Sequence, residues 1–100
     1  MSILQEHIND IKKLCVDHKV KQLSASGSVL TGKFNKDSDI DLIVDFEPID
    51  VLLYVDNYYD LKFSLQDVLK RPVDLLEEKG IKNPYFRKAI NQQRQLIYGH

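Results

Sequence analysis

The stretch from Ser24 to Phe46 constrains this chain more than any other. It runs Ser24-Ala25-Ser26-Gly27-Ser28-Val29-Leu30, then a polar link, then Asp39-Ile40-Asp41-Leu42-Ile43-Val44-Asp45-Phe46. A Gly-Ser pair thus stands ten residues ahead of an Asp-X-Asp set in an apolar run. Gly27 lets the backbone turn where a Cβ would clash, and it leaves amide N–H groups open to an anion. Ser28 adds a hydroxyl at the start of a short predicted helical turn over Val29 to Thr31, ended by Gly32. Free N–H groups at such a start favour phosphate. Asp39 and Asp41, two apart in a strand, leave the same face of a sheet. Paired carboxylates make a hard oxygen site suited to magnesium together with substrate phosphates. The stretch reads as a site for a metal-bound nucleoside triphosphate.

The remaining elements are legible around it. Leu4, Ile8, Ile11, Leu14 and Cys15 recur at spacings of three and four, which predicts one amphipathic helix from Ser2 to about His18. Cys15 lies on its apolar stripe as a core residue, whereas His7 and His18 have no spaced partner and read as surface residues. Val20 to Ser26 is a strand feeding the Gly27 turn. In Asp39 to Phe46, the central strand, Ile40, Leu42 and Val44 alternate with Asp39, Asp41 and Ile43, so one face is apolar and the other carries the acids. Lys33 and Lys36 in the link are either solvated loop charges or, in the sharper reading, reach the triphosphate, with Lys33 the named candidate. Asp37 reads as a turn former rather than a ligand.

Pro48 breaks the central strand, and Ile49 to Lys70 is helical, in two pieces around Asn57. Its stripe is Val51, Val55, Tyr58, Leu61, Leu65 and Val68, with a surplus set of Leu52, Tyr59 and Phe63 that either completes the core, the weightier reading, or meets another chain. Arg71-Pro72 ends this helix. Val73 to Glu77 is the next strand, in which Asp74 and Leu76 point opposite to Val73 and Leu75; an aspartate among strand formers needs either a partner or an edge facing water. Asn83-Pro84 starts a helix to about Gln93, and Gln95 to Tyr98 adds a last strand. This order gives an α/β sandwich, a small mixed β-sheet with helices mainly on one face and the acid face open to substrate. All of residues 1–100 form one domain.

The pattern Gly27-Ser28, ten residues, Asp39-Ile40-Asp41, with Asp74 on a later strand, resembles the signature of the DNA polymerase β-like nucleotidyltransferase superfamily. The small size is similar to its minimal nucleotidyltransferase (MNT) branch. That resemblance implies a polymerase β palm-like core in which Ser28 contacts the triphosphate and Asp39 and Asp41 hold divalent metal. Asp74 is then the third carboxylate, completing one of two magnesium sites and accepting the proton of the attacking hydroxyl. It implies transfer of AMP from ATP to an acceptor hydroxyl. Many such proteins carry Phe-Gly-Ser-Arg-Ala-Arg-Gly, where this chain has Ser26, Val29 and Thr31 in place of the aromatic and the two arginines. Loss of those arginines removes cationic contacts to phosphate, so triphosphate binding is either weak or leans on Lys33 and Lys36.

The resemblance also implies a partner: a HEPN-domain toxin, here as a separate chain, modified with AMP on a tyrosine by this antitoxin. The alternative is a catalytically weak antitoxin that neutralises its toxin by binding alone. Transfer to small molecules such as aminoglycosides is disfavoured, because a second domain to hold the acceptor is expected for that. With 14 basic and 15 acidic residues and a net charge of −1, no basic excess exists for direct nucleic-acid binding. The single cysteine excludes an internal disulfide and fits a cytoplasmic protein. No apolar run approaches the roughly 20 residues of a membrane span, and no export signal is read at the N-terminus. An oligomer remains open. The terminal His100 is assigned no role.

Overall fold

A computed structural model describes residues 2–30 and 38–99. Two helices, α1 (Ser2–Glu6) and α2 (Ile8–Asp17), precede strand β1 (Val20–Ser26) and a single 3-10 turn, Gly27–Leu30. Strand β2 (Ile40–Phe46), helix α3 (Val51–Leu69), strand β3 (Val73–Glu77), helix α4 (Pro84–Gln92) and strand β4 (Arg94–Gly99) follow. The sheet order is β3-β2-β1-β4. β1 pairs antiparallel with both β2 and β4, and β2 pairs parallel with β3, so the sheet is mixed. The link holding Gly32, Lys33, Lys36 and Asp37 lies outside the described residues.

β2 is the middle of the molecule because its alternation feeds two cores. Ile40, Leu42, Val44 and Phe46 join Leu23 and Ala25 of β1, Val73 and Leu75 of β3, Ile11 and Cys15 of α2, and Leu61, Leu65 and Leu69 of α3. Each fully buried aliphatic side chain there contributes roughly 1.5–3 kcal/mol of transfer free energy. Burial pushes the Cys15 thiol up to about 12, so it is an inert core group as its place on the stripe suggests. The opposite face is not fully open as expected. Ile43 interrupts the acids there and packs with Ile81 and Ile90, with Leu76 beside them, so α4 covers part of the acid face. The Asn83 carboxamide caps α4 by accepting from Tyr85 N and Phe86 N, with Pro84 at its first position.

Three other expectations are corrected. The N-terminal helix is interrupted at His7, whose N–H bonds Leu4 O in a tighter three-residue turn at 3.3 Å. His18 is buried rather than superficial, with Nδ1 2.7 Å from Leu14 O and Nε2 2.5 Å from Asp60 Oδ2. Its partner comes from α3, 42 residues away, which no local spacing reveals. Helix α3 is unbroken. Asn57 does not divide it but donates from Nδ2 to His18 O at 2.9 Å, tying α3 to the end of α2. Asp50 caps its start, and Lys70 ends it in the left-handed region at φ 57°.

The buried stripe of α3 is Leu61, Leu65 and Leu69, continued by the half-buried Tyr54, Tyr58 and Val68. Tyr54 takes the role expected of Val51 and Val55. The surplus apolar set does not complete the core: Leu52 is 85% exposed and Phe63 54%. β3 is an edge strand whose outward groups are partly taken, since Val73 N donates to Gln66 Oε1 at 3.0 Å and the Tyr58 hydroxyl donates to Leu75 O. Among the described residues no helix is long and apolar enough to cross a membrane.

Candidate functional site

The strand registers assemble the site. Asp41 of β2 stands opposite Asp74 of β3 in the parallel pair, and opposite Ser26 of β1 in the antiparallel pair. Ser26 in turn faces Arg94 of β4. Directly paired residues share a face, so Asp74, Asp41, Ser26 and Arg94 form one row across the sheet, with strands about 4.8 Å apart. The alternation expected around Asp41 and Asp74 therefore holds, and the parallel crossover through α3 makes the two acids neighbours. Asp39 lies just before β2 and is exposed.

Gly27 follows Ser26 directly and turns the chain with φ +75°, a left-handed conformation suited to glycine. A Cβ on Gly27 would collide with Asp41 Oδ2. The missing side chain thus allows the carboxylate to close against the turn. Ser28 is the second residue of this turn, which starts at Gly27, two residues before the Val29 start expected, while Thr31 and Gly32 lie outside the described residues.

The carboxylates also feel one another. The Asp41 carboxyl is raised above the ordinary aspartate range, first by burial and then by the negative charges of Asp74 and Asp39. Among the described residues no three acidic, histidine or cysteine side chains are gathered closely enough to hold an ion by themselves. Magnesium commonly binds through one or two carboxylates, with phosphate oxygens and water filling the shell, so Asp41, repelled by Asp74 and Asp39 and close against the Gly27 turn, suits it. Beside Asp41 and Asp74 lies a hollow of about 290 Å³, bounded by Gly27 on one side and by Leu76, Phe86, Ile90 and Gln93 on another.

Phe86, Ile90 and Gln93 were not anticipated. The Asn83-Pro84 start announces α4, but only Ile43, an apolar residue at an acid-face position, hints at where that helix lies. Arg94 was missed as well. It pairs with Glu78, which also binds Arg87 through Nη1 at 2.8 Å. The hydrogen bond from Arg94 first, then that from Arg87 and both positive charges, hold the Glu78 carboxyl below its ordinary value against the opposing effect of burial. This cluster fastens α4 and β4 to the turn after β3. The candidate Lys33 has no described position.

A family model described as "Nucleotidyltransferase domain" matches residues 7–97. A chain of Methanocaldococcus jannaschii, named as a candidate protein adenylyltransferase, is 35% identical over 97 residues, covering 96% of this chain and 90% of that one. A solved structure described as a candidate minimal nucleotidyltransferase superposes with a TM-score of 0.73 at 31% identity, over 91% of this chain and 89% of the other. The MNT antitoxin in complex with a tri-AMPylated HEPN toxin of Shewanella oneidensis shares the fold, with a TM-score of 0.66 at 22% identity, over 96% of this chain and 72% of that one.

Proposed function

This chain belongs to the nucleotidyltransferase domain family, and from that premise we propose that it moves AMP from magnesium-ATP to a hydroxyl on a HEPN-domain toxin, as a cytoplasmic antitoxin. The observation that carries this reading is the register that sets Asp41 beside Asp74 and against the Gly27 turn. The acceptor oxygen forms a bond to the α-phosphorus while the bond from that phosphorus to the bridging oxygen breaks, releasing pyrophosphate. Asp74, exposed at the edge strand, takes the hydroxyl proton and passes it to solvent. The Gly27-Ser28 turn holds the outer phosphates, with Lys33 as a further cationic contact. Magnesium held by Asp39, Asp41 and Asp74 together with the phosphates would neutralise charge at the reacting phosphoryl group. The HEPN partner is supported by the fold shared with an antitoxin whose toxin carries AMP.

The test is incubation with ATP labelled at the α-phosphate, magnesium and a HEPN toxin encoded beside this chain. Label on a toxin tyrosine is expected, together with lasting loss of toxicity. If Asp41→Asn neutralises the toxin as durably as the unaltered chain and no label moves, the protein acts by binding alone.

A further inference from the structure

We propose that the apolar groove between α3 and α4, at the outer side of β3, seats the acceptor: a protein segment whose reacting hydroxyl is flanked by apolar or aromatic side chains. This rests on the AMP-transfer reading and adds the side from which the acceptor arrives. In phosphoryl-group displacement the entering and leaving oxygens lie roughly in line across the phosphorus. The row across the sheet fixes what that means here. The phosphate turn at Gly27 follows β1, Asp41 is in the middle on β2, and Asp74 is on β3. Pyrophosphate held at the β1 side therefore leaves in that direction, and the hydroxyl enters from the β3 side, past the carboxylate that takes its proton.

The groove begins there. It has a volume of about 700 Å³ and adjoins the hollow beside the acids at Leu76 and Phe86, which line both. Its α3 wall is an aromatic ladder. Tyr54 and Tyr58 stack with centroids 6.5 Å apart, and Tyr58 meets Tyr59 edge-on at 5.1 Å. The hydroxyls of Tyr54 and Tyr58 are turned inward, to Glu77 and to Leu75 O. They leave ring faces and edges toward the groove and satisfy the polar groups that an apolar guest would otherwise strand. Val55 is 58% exposed, while Tyr59 and Phe86 are each 48% exposed, so apolar surface here has no cover within the described residues. A nucleoside base fits this position less well. The Glu77 carboxylate already accepts from Tyr54, and a base here would fill the entry path of the hydroxyl.

The test uses the full chain and two synthetic tyrosine peptides, one with leucine and phenylalanine on either side of the tyrosine, the other with serine and glycine. Transfer of AMP from α-labelled magnesium-ATP is followed, and peptide binding is measured separately by fluorescence anisotropy on Asp41→Asn, which needs no chemistry. The apolar peptide is expected to bind at least tenfold more tightly. Val55→Glu and Tyr59→Glu, each checked for folding by thermal melting, should raise its Kd and its KM at least tenfold while leaving the Kd for magnesium-ATP unchanged. Equal binding of the two peptides, or unaltered peptide affinity in both variants, overturns the proposal. So does a rise in the ATP Kd with no change for peptide, which would assign the groove to the base. A dimer of the chain that Tyr59→Glu dissociates, again with peptide affinity unaltered, would assign it to a second copy. Failure of the transfer reading looks different: no magnesium-ATP binding and no label moved, with the preference for the apolar peptide still present.

Discussion

Gly27→Ala is the sharpest probe of how the Gly27 turn and the acid pair are built together. The backbone there has φ +75°, where an L-residue costs about 1–2 kcal/mol. The new methyl would also strike Asp41 Oδ2, which must swing away into a poorer rotamer at roughly 0.5–1.5 kcal/mol. The total is about 1.5–3.5 kcal/mol, a large share of the stability of a domain this size. The two contributions separate in an Asp41→Ala background. There the carboxylate is gone, and the Asp41 Cβ lies an ordinary 3.6 Å from the added methyl. Gly27→Ala should then cost only the backbone part, leaving a coupling of about 1 kcal/mol in the double-mutant cycle. Thermal melting resolves this, since 1 kcal/mol moves the midpoint by roughly 4–8 °C in a domain of up to 100 residues. Asp41 is half-buried and repelled by Asp74 and Asp39, so Asp41→Ala alone should not destabilise the fold appreciably. Additive effects in the double mutant would refute the close approach of turn and carboxylate.

Two further outcomes follow from the elements that frame the site. Glu78 has a folded-state pKa below its unfolded value, so its contribution to stability is present above the unfolded pKa and is lost as pH falls through the folded one. Glu78→Gln should remove that part of the acid limb, below about pH 4.5, and at neutral pH it should cost about 1.5–3 kcal/mol for the charge-assisted bonds from Arg94 and Arg87, read from urea melts at several pH values. Ile90→Ala should cost about 2–3 kcal/mol by opening the small cluster with Ile43 and Ile81. Hydrogen exchange should then quicken in α4 while the amides paired between β1 and β2 stay protected; a uniform change would mean that α4 and the sheet open as one unit.

The strands were legible because each carries a period of two beside a clear punctuation residue. β1 stops at Gly27, β3 follows Pro72, and both begin and end as read. The Gly-Ser to Asp-X-Asp spacing placed Gly27 and Asp41 in one site, although only the register of the parallel pair shows that Asp74 is the direct neighbour of Asp41. What escaped depends on long-range partners. His18 reads as a surface residue until Asp60 and Asn57 arrive from α3. The stripe of α3 holds from Tyr58 to Val68 but was misplaced in its first turns, where Tyr54 packs its ring edge-on against Phe46 with centroids 5.6 Å apart. Val51 and Val55 are equally apolar by type but face water. The cover that α4 lends the acid face rests on one isoleucine among aspartates, a signal with more than one reading.

The most direct measurement of the central claim is single-turnover transfer of labelled AMP by the Asp39→Asn/Asp41→Asn protein, with its melting temperature taken alongside. Asp39 is exposed, Asp41 half-buried, and neither belongs to an apolar cluster. The account therefore expects a fold as stable as the unaltered chain, with transfer slowed by at least about 10²–10³, the scale of losing preorganised charge stabilisation at a reacting centre. A double variant that keeps both its fold and its transfer rate would contradict the assignment of these acids.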